Sequence, residues 1–502
     1  MGGIVGYVLL WGLLAPTTFA TQDEREYLTT AYTVTTGEIF DRTNPKAYFP
    51  SVLFGGVHPF RGRSLFFSSI VAVVLPIHWK ASFVVPLVSH LLTFLVVAWV
   101  CAKCGTSYWW AWLVLLHPTL TLYSRMVIAD TSAATMTAFV VAFILASPRR
   151  SAAAGAIAGL SMFLRVTNCW VGFAAAVQLL IDDLARADRG SVLGRLWRGD
   201  LKRFLVPFVI FCVLLLVANT ILYGGPFRTL YSFGPTATFG ISYLTRHLPM
   251  YLVALNVFWP LMLVAVFFLP GRIRWLGATL VVVQLMFFAA NPNFARGYDV
   301  MATMVRSLRY FMGSLIVLSI GYPYMIDAVM NRRRIPKMIA GFAVLGAVFA
   351  TGLLFFTHDR FLDRQAQVVE AAYTHIPTEA TTYIGANEAE LFSPVFGERR
   401  LVSIGSLYQG NRFGEIRAGD FFLFYVQPPP RTPGQEEKAR IAERMIGDLG
   451  LVAEVAQVEV PADASALRIF KVIRVRPNVT MPRLSSEELD ELFVDESELP
   501  FF

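Results

Sequence analysis

Two neighbouring carboxylates, Asp23 and Glu24, follow directly after the first apolar run of the chain, residues 4–19. Charged side chains at the edge of the hydrocarbon layer cost free energy and usually have a function. Carboxylates in such a position are suited to accept a proton or to hold a cation. Alternatively, the two acids only begin a helix after Thr21, since acidic residues are favoured in a first helical turn.

Arginines at the ends of apolar segments are the second set of candidates. Arg165 interrupts a long apolar stretch, where a charge is expensive and is usually either functional or paired within the protein. Arg125 and Asp130 flank a short polar turn between two such stretches, and an interfacial anchor explains them as well as a substrate role does. Arg309 and Tyr310 open a late apolar segment, where a cation can bind an anion or simply snorkel to the interface.

Residues in two long polar loops complete the candidates. His58 and Arg63 lie late in the loop at 21–80, where they contact either a substrate or anionic lipid head groups. Tyr231, in the loop at 224–248, offers a ring suited to a sugar or a lipid, although interfacial aromatic belts explain such residues without a function. A divalent ion such as Mg or Mn could sit with the acidic pair, but no cluster has a decisive metal-ligand spacing, so no cofactor is certain.

Composition identifies the elements that must position these side chains. Of the 502 residues, 55% are apolar and only 16% are charged, which excludes an ordinary soluble globular protein. The net charge of +8 does not indicate nucleic acid, because the basic residues fall mostly in short loops between apolar segments and so report topology. Of the four cysteines, Cys101 and Cys104 form a CAKC sequence at a segment end, which we interpret as structural.

The apolar segments predict an α-helical polytopic membrane protein with about eleven spans of roughly 20 residues each. A short apolar piece at 65–77 is too short to cross, and residues 4–20 are interpreted as an uncleaved first span because no Lys or Arg precedes them. Basic loops place the N-terminus inside and the C-terminus outside. The predicted spans cover residues 4–20, 82–101, 107–123, 127–146, 152–181 (two short spans), 204–223, 249–269, 274–290, 310–328 and 338–356.

Residues 152–181 are predicted to form a hairpin rather than one long span. Arg149 and Arg150 precede this stretch and a strongly basic loop at 182–203 follows it, so both ends belong on the cytoplasmic side. Arg165 then lies near the outer tip of the hairpin. Residues 23–35 are predicted to form an interfacial helix with Tyr27, Ala31 and Val34 on one face and Glu24 on another.

The chain beyond residue 357 changes character. Helical patterns at 361–375 and 434–449 alternate with strand-like sequences, which predicts a small extramembrane α/β domain at 357–472 after a transmembrane catalytic domain at 1–356. The strand-like sequences are TTYIGA, RRLVSIG, FFLFYVQ, VAEVAQVEV and LRIFKVIRV. Residues 473–502 are acidic towards their end and are predicted to be a flexible tail.

These features resemble the GT-C superfamily of membrane-embedded glycosyltransferases, which use polyprenyl-phosphate sugars. The resemblance rests on three features: an Asp-Glu pair after a first span, the turn from His117-Pro118 through Arg125 to Asp130, and the Gly-Leu-x-x-x-x-Arg sequence ending at Arg165. Protein O-mannosyltransferases, the aminoarabinose transferase of lipid A and lipid-linked mannosyltransferases share this layout. The resemblance extends to about residue 330, and the C-terminal region matches no family that we can name.

The resemblance implies an inverting transferase that moves a mannose-like or other hexose or a pentose from a polyprenyl-phosphate donor to a lipid, glycan or protein acceptor. Asp23 would be the general base, with Glu24 as the alternative or as a helper that orients the acceptor or a metal. Arg165, Arg125, Arg309 and Arg63 would bind the donor phosphate, and His58, Asp130, Tyr310 and Tyr231 would lie close to the substrate. The active site and the C-terminal domain would face outward from the plasma (inner) membrane.

Two other classes remain open from the sequence. A transporter or lipid flippase would place charges in several central helices and would show paired inverted halves, whereas the charges here concentrate on one side. A non-enzymatic assembly or receptor protein would use the C-terminal domain as its active part. Loss of function on replacing Asp23, with that domain intact, would count against the second of these.

Overall fold

The computed structural model describes residues 2–37, 64–146, 150–185, 199–228, 239–291, 300–330, 335–384, 401–403, 413–426, 450–460 and 465–475, with single positions at 440, 444 and 447. Helices dominate up to residue 373, and a sheet follows. In chain order the α-helices are α1 Gly2–Leu13, α2 Gln22–Thr36, α3 Leu65–Val74, α4 Val84–Lys103, α5 Trp112–Leu115, α6 Pro118–Tyr123, α7 Ala129–Ala146, α8 Ser151–Leu164, α9 Cys169–Ala185, α10 Asp200–Tyr223, α11 Ile241–Val257, α12 Gly271–Ala289, α13 Val300–Ser307, α14 Met312–Met330 and α15 Ile335–Tyr373.

Among the described residues, five helices are long and apolar enough to cross a membrane, or six if one sharply bent pair counts as a single span. These helices make the chain an integral membrane protein, as its composition predicts. They are Trp79–Lys103, Ala129–Ala146, Asp200–Tyr223, Gly271–Ala289 and Thr303–Ala328, with the bent pair Ile241–Val257 and Met262–Phe268. The number of described helices that are long and apolar enough to cross is therefore smaller than the eleven spans predicted. Several of the predicted spans are helices too short to cross, or are broken by a turn.

The predicted span at 107–123 shows why. It consists of a 3₁₀ turn and the short helices α5 and α6, interrupted at His117. Pro118 has no N–H to donate and takes the first position of α6, while the His117 imidazole accepts a hydrogen bond from the Thr119 N–H and so begins a new helix. From Ala111 onward the segment is mostly buried among its neighbours rather than exposed like a lipid-facing span, with Leu120 and Thr121 at 0–1% exposure.

Residues 151–185 form the predicted hairpin. Helix α8 ends at Leu164, Arg165 takes an extended conformation, and α9 begins at Cys169. Both helices run along α10 in opposite directions: Gly155 lies at Phe204 and Asp183 binds the N–H groups of residues 200 and 201, while Met162 and Cys169 lie beside Cys212. The chain therefore turns back at residues 165–168, with Arg165 at the tip.

The helix predicted at residues 23–35 is α2, but one of its faces was misassigned. Leu28 and Ala31 are fully buried, as an apolar face requires, and Glu24 is buried with them at 0% exposure. The reason is helical geometry, since residues 24, 28 and 31 are spaced four and then three apart and so lie on one side of a helix. The apolar piece at 65–77 is the short helix α3, whose Phe67 ring packs 5.0 Å from the ring of Tyr27.

The strands form one five-stranded sheet in the order β2-β1-β3-β5-β4, where β1 is Thr382–Ile384, β2 Leu401–Ser403, β3 Phe421–Val426, β4 Gly450–Val460 and β5 Ser465–Val475. Strands β2, β1 and β3 are parallel, and β5 and β4 continue antiparallel. Each of the five strand-like sequences thus contains a strand. The predicted helix at 434–449 lies mainly outside the described residues.

Helix α15 joins the membrane part to the sheet. Its 39 residues contain the predicted span 338–356 and, at 1.5 Å per residue, extend over roughly 58 Å. The last turns pack Val368, Val369 and Ala372 against the sheet residues Leu423 and Ile469. One continuous helix therefore passes through residue 357, where the sequence suggested a domain boundary.

Candidate active site

Asp23 is positioned by the start of α2. The Glu24 carboxylate beside it accepts hydrogen bonds from the N–H groups of Ala20 at 2.8 Å and Thr21 at 3.1 Å, and its other oxygen accepts from the Val127 N–H at 2.8 Å. These bonds fix the first turn of α2 and tie it to the segment between α6 and α7. Because adjacent helical residues point about 100° apart, burying Glu24 directs Asp23 out of the packed face.

Arg309 brings Asp23 and Asp130 together. It lies in the 3₁₀ turn Leu308–Phe311 that joins α13 to α14. Its Nη2 donates to Asp23 Oδ2 at 2.5 Å and its Nε donates to Asp130 Oδ1 at 3.2 Å. The side chains of Arg309 and Asp23 remain 21% and 15% exposed, so this pair can be reached by a ligand.

Asp130 also pairs with Arg165. It stands in the first turn of α7, and its Oδ1 contacts Nη1 of Arg165 at the hairpin tip as well as Nε of Arg309. Asp130 is nearly inaccessible, at 2% side-chain exposure, whereas Arg165 is 19% exposed. One buried carboxylate thus holds two accessible guanidinium groups side by side.

Aromatic rings surround the two guanidinium groups. The Tyr310 ring centre lies 5.5 Å from the Arg165 guanidinium carbon and 5.9 Å from that of Arg309. The Tyr123 ring lies 5.8 Å from Arg309, and Phe288 stacks on Tyr310 at 4.8 Å. Cation–π contacts of this kind restrict the arginines to one side of the cluster and hold them in place for a planar or anionic partner.

A small pocket of about 40 Å³ adjoins Arg309. Its walls come from the start of α2, from α6, from α13 and from α15. They are Ala20, Thr21, Leu122, Tyr123, Met126, Ile128, Arg306, Arg309, His358 and Phe361.

The cluster formed by Asp23, Asp130, Arg165 and Arg309 contains the elements of group transfer from a phosphate. A partly exposed carboxylate can accept a proton, and two adjacent guanidinium groups can bind a phosphoryl group through paired N–H donors. Glu24 differs from Asp23 in its burial, which raises the pKa of its carboxyl from 4.5 to about 7, although hydrogen bonds from backbone N–H groups act to lower that pKa. Its position suits a structural cap.

Five of the predicted site residues meet in this cluster: Asp23, Asp130, Arg165, Arg309 and Tyr310. Arg125 does not join it, but binds His358 and Asp359 of α15 from a site that is 1% exposed. His58, Arg63 and Tyr231 lie outside the described residues.

The sequence pointed to neither His358 nor Phe361 as a pocket residue. The available signal was a histidine followed by Asp359 and Arg360 where the last apolar segment ends. Among the residues that the structure describes, no group of three or more His, Cys, Asp or Glu side chains could hold a metal ion, and a role for Mg or Mn stays a prediction.

Solved structures share this arrangement of elements. The match to the crystal structure of ArnT from Cupriavidus metallidurans in the apo state covers 93% of this chain and 98% of the ArnT chain, with a TM-score of 0.53 and 13% sequence identity. The match to the crystal structure of the same ArnT bound to undecaprenyl phosphate covers 96% of this chain and 98% of the ArnT chain, with a TM-score of 0.53 and 11% sequence identity. No protein-family model and no curated protein sequence matches this chain. The chain therefore shares the fold of these ArnT structures over nearly its whole length.

Proposed function

We propose that this chain is a membrane glycosyltransferase that moves a sugar from a polyprenyl-phosphate donor to an acceptor hydroxyl on the extracytoplasmic face of its membrane. The observation that carries the proposal is the Asp23–Arg309–Asp130–Arg165 cluster, in which a reachable carboxylate stands beside two reachable guanidinium groups. The fold supports the donor class, since ArnT with this fold is found bound to undecaprenyl phosphate.

In the proposed reaction Asp23 is the general base. An acceptor oxygen attacks the anomeric carbon as its proton passes to the Asp23 carboxylate, and the bond between that carbon and the phosphate oxygen breaks in the same step. The phosphate leaves with the electron pair, so the sugar inverts in a single displacement. General-base assistance of this type contributes about 10²- to 10⁴-fold to rate.

Arg165 and Arg309 stabilise the leaving phosphate. Negative charge grows on the phosphate oxygens as the glycosidic bond breaks, and fixed guanidinium donors lower the energy of that state more than the energy of the ground state. The buried Asp130 keeps both arginines aligned before substrate arrives, so little reorganisation is needed at the moment of transfer. The Tyr310 ring, which stacks on Phe288, contacts the guanidinium groups of both Arg165 and Arg309 and so restricts their orientation.

The distribution of basic residues supports an outward-facing position for this cluster. Arg272 and Arg274 stand at the first turn of α12, and Arg203 stands near the start of α10, at helix ends remote from the hairpin tip. The positive-inside rule assigns those ends to the cytoplasm, which leaves Arg165 and the C-terminal sheet outside. A plasma (inner) membrane location, a hexose or pentose donor and a lipid, glycan or protein acceptor complete the proposal.

The test is release of polyprenyl phosphate from a panel of radiolabelled polyprenyl-phosphate sugars by membranes carrying the protein. Wild type should release polyprenyl phosphate from at least one donor and transfer the label. Arg165→Met should lower that rate by 100-fold or more, an effect on the order of 3 kcal/mol typical of a lost transition-state donor. Arg203→Met, which removes an arginine 54% exposed at the other end of the bundle, should leave the rate unchanged.

Absence of release from every donor would overturn the enzyme proposal and favour the transporter or flippase reading. Equal rates for wild type and Arg165→Met would instead remove Arg165 from the phosphate site and leave the reaction class standing. The two results are separable because the first concerns wild type alone and the second compares wild type with a variant.

A further inference from the structure

Arg125 makes an unusual set of contacts for a buried arginine. Its Nε donates to Nδ1 of His358 at 3.2 Å, and its Nη2 lies 3.4 Å from Oδ1 of Asp359. The guanidinium carbon stands 4.6 Å from the centre of the Phe355 ring. All three partners belong to consecutive turns of α15, so Arg125 fixes the rotation of that helix beside the pocket.

The contact with Arg125 fixes the protonation state of His358. An arginine side chain has only N–H donors, so the His358 Nδ1 that receives its hydrogen bond must carry a lone pair. A neutral imidazole with a lone pair on Nδ1 carries its proton on Nε2. His358 is thus a neutral ring with one N–H donor, on the nitrogen opposite Arg125.

His358 also lines the pocket beside the cluster. The ring shares the pocket wall with Phe361, almost one helical turn further along α15, and faces walls that include Arg306, Arg309 and Thr21. Among the described residues that line the pocket, the charged groups are the cations Arg306 and Arg309, and the neutral histidine adds a further donor from another element. Such a set of donors is suited to an electron-rich oxygen, as found in a phosphoryl group or a sugar hydroxyl.

We propose that His358 donates a hydrogen bond from Nε2 to an oxygen of the substrate's polar head, and that Arg125 is the positioning residue that sets the tautomer for this contact. The inference rests on the proposed function and adds to it a substrate-binding residue from α15. The helix that leads into the sheet would then form part of the reaction site. Donor phosphate and acceptor hydroxyl share the required chemistry, and kinetics can separate them.

The competing explanation is structural, because the same bonds also attach α15 to the segment after α6. Two substitutions at one position distinguish the two roles. His358→Gln places an amide N–H at about the reach of Nε2, whereas His358→Leu fills a similar volume with no donor. His375→Leu is the control, since His375 is exposed just beyond the end of α15.

The experiment measures kcat and KM of purified protein in detergent for donor and acceptor separately, with the thermal midpoint of each variant as a check on folding. His358→Leu should lower kcat/KM for the substrate that it contacts by about 10-fold or more, the usual effect of losing a hydrogen bond to a charged or reacting group. His358→Gln should recover most of that loss, and His375→Leu should match wild type. The substrate whose constant changes identifies the oxygen.

Arg125→Met tests the positioning role. It should lower kcat/KM in the wild-type background and have a smaller effect in the His358→Gln background, because an amide needs no tautomer to be set. If His358→Leu and His358→Gln are equally impaired or equally active at matched thermal midpoints, the inference is overturned. If wild type releases no polyprenyl phosphate from any donor, the proposed function fails and takes this inference with it.

Discussion

Asp130 is the residue on which the geometry of the cluster depends most. It is almost completely buried and accepts from both Arg165 and Arg309, so its loss would leave two guanidinium groups side by side with one fewer counter-charge. Breaking a buried ion pair by removing one partner costs about 3–5 kcal/mol, more than the pair itself contributes to stability. Asp130 is therefore expected to contribute to stability as well as to alignment.

We expect Asp130→Ala to destabilise the protein by about 3 kcal/mol. The double variant Asp130→Ala/Arg165→Met should be less destabilised than Asp130→Ala, because it also removes one of the two guanidinium groups that lose the Asp130 carboxylate. Chemical unfolding in detergent micelles, followed by tryptophan fluorescence, measures the difference. Strict additivity of the two single effects would contradict the ion-pair geometry.

Single residues also mark the limit of what the sequence could predict. Asp130, Arg165, Arg309 and Tyr310 are far apart in the chain, and each was predicted from charge or aromaticity at the outer end of an apolar segment. Arg125 had the same signature, yet it turns towards α15, because the direction of a side chain in a short turn depends on packing that composition does not encode. The sequence thus found the charged residues of the cluster but could not separate them from a structural arginine.

At the scale of elements, the start of α2 is held by the carboxyl group of Glu24, which is completely buried. Burial raises the pKa of Glu24 from 4.5 to about 7, so between those values the folded protein binds this proton more tightly than the unfolded chain does. The resulting stabilisation is fully present below pH 4.5 and is lost as the pH rises through 7. The cap is then weakest in alkaline solution.

This predicts a pH-dependent difference between wild type and Glu24→Gln, whose side chain cannot ionise. The difference between the thermal midpoints, wild type minus Glu24→Gln, should decrease as the pH is raised from 5 to 8. Glu454→Gln is the control: an ion pair with Arg468 lowers the pKa of Glu454, so its carboxylate keeps one charge over this range. A difference for Glu24→Gln that stays constant or grows would show that Glu24 is ionised throughout.

The hairpin that carries Arg165 depends on the close approach of α8 to α10. A Cβ at Gly155 would overlap the carbonyl oxygen of Phe204 and lie 2.9 Å from its carbon, so only glycine permits this contact. Small residues allow membrane helices to pack backbone against backbone in this way. The pattern of basic loops predicted the hairpin, whereas this contact depends on the register of two helices, which no local pattern specifies.

Gly155→Ala should destabilise the protein by about 1–3 kcal/mol, the usual cost of overpacking an interface. Gly352→Ala is the matched control, since a Cβ there meets no atom within 4 Å and the change replaces one helical glycine with alanine. Thermal midpoints in the same detergent compare the two variants. A Gly155→Ala protein as stable as the control would contradict the register of α8 and α10.

At the scale of the whole molecule, the membrane helices and the sheet are joined by one continuous helix that also lines the pocket. The strand-like patterns were enough to predict the strands of the sheet. The apolar pattern did not separate a continuous span from a broken one, because a largely buried segment such as residues 107–123 is as apolar as a lipid-facing one. Burial against protein and burial in lipid leave the same composition.

This architecture explains how the charged residues of the cluster come to meet at one end of the bundle. The hairpin tip, the first turns of α2 and α7 and the turn before α14 meet at the ends of apolar segments, and this brings their charged groups together. A transporter would need such groups along a path through the membrane. The arrangement instead suits a reaction at one surface with a lipid-borne substrate.

The most direct test of this account is the rate at which Asp23→Asn releases polyprenyl phosphate from the donor that wild type uses. Asparagine keeps the size of the side chain but cannot accept the proton, so the rate should fall by at least about 100-fold while the thermal midpoint stays near that of wild type. Asp182→Asn, at the far end of α9, is the control and should remain active. An Asp23→Asn protein that turns over at the wild-type rate would show that Asp23 is not the base and would contradict the central claim.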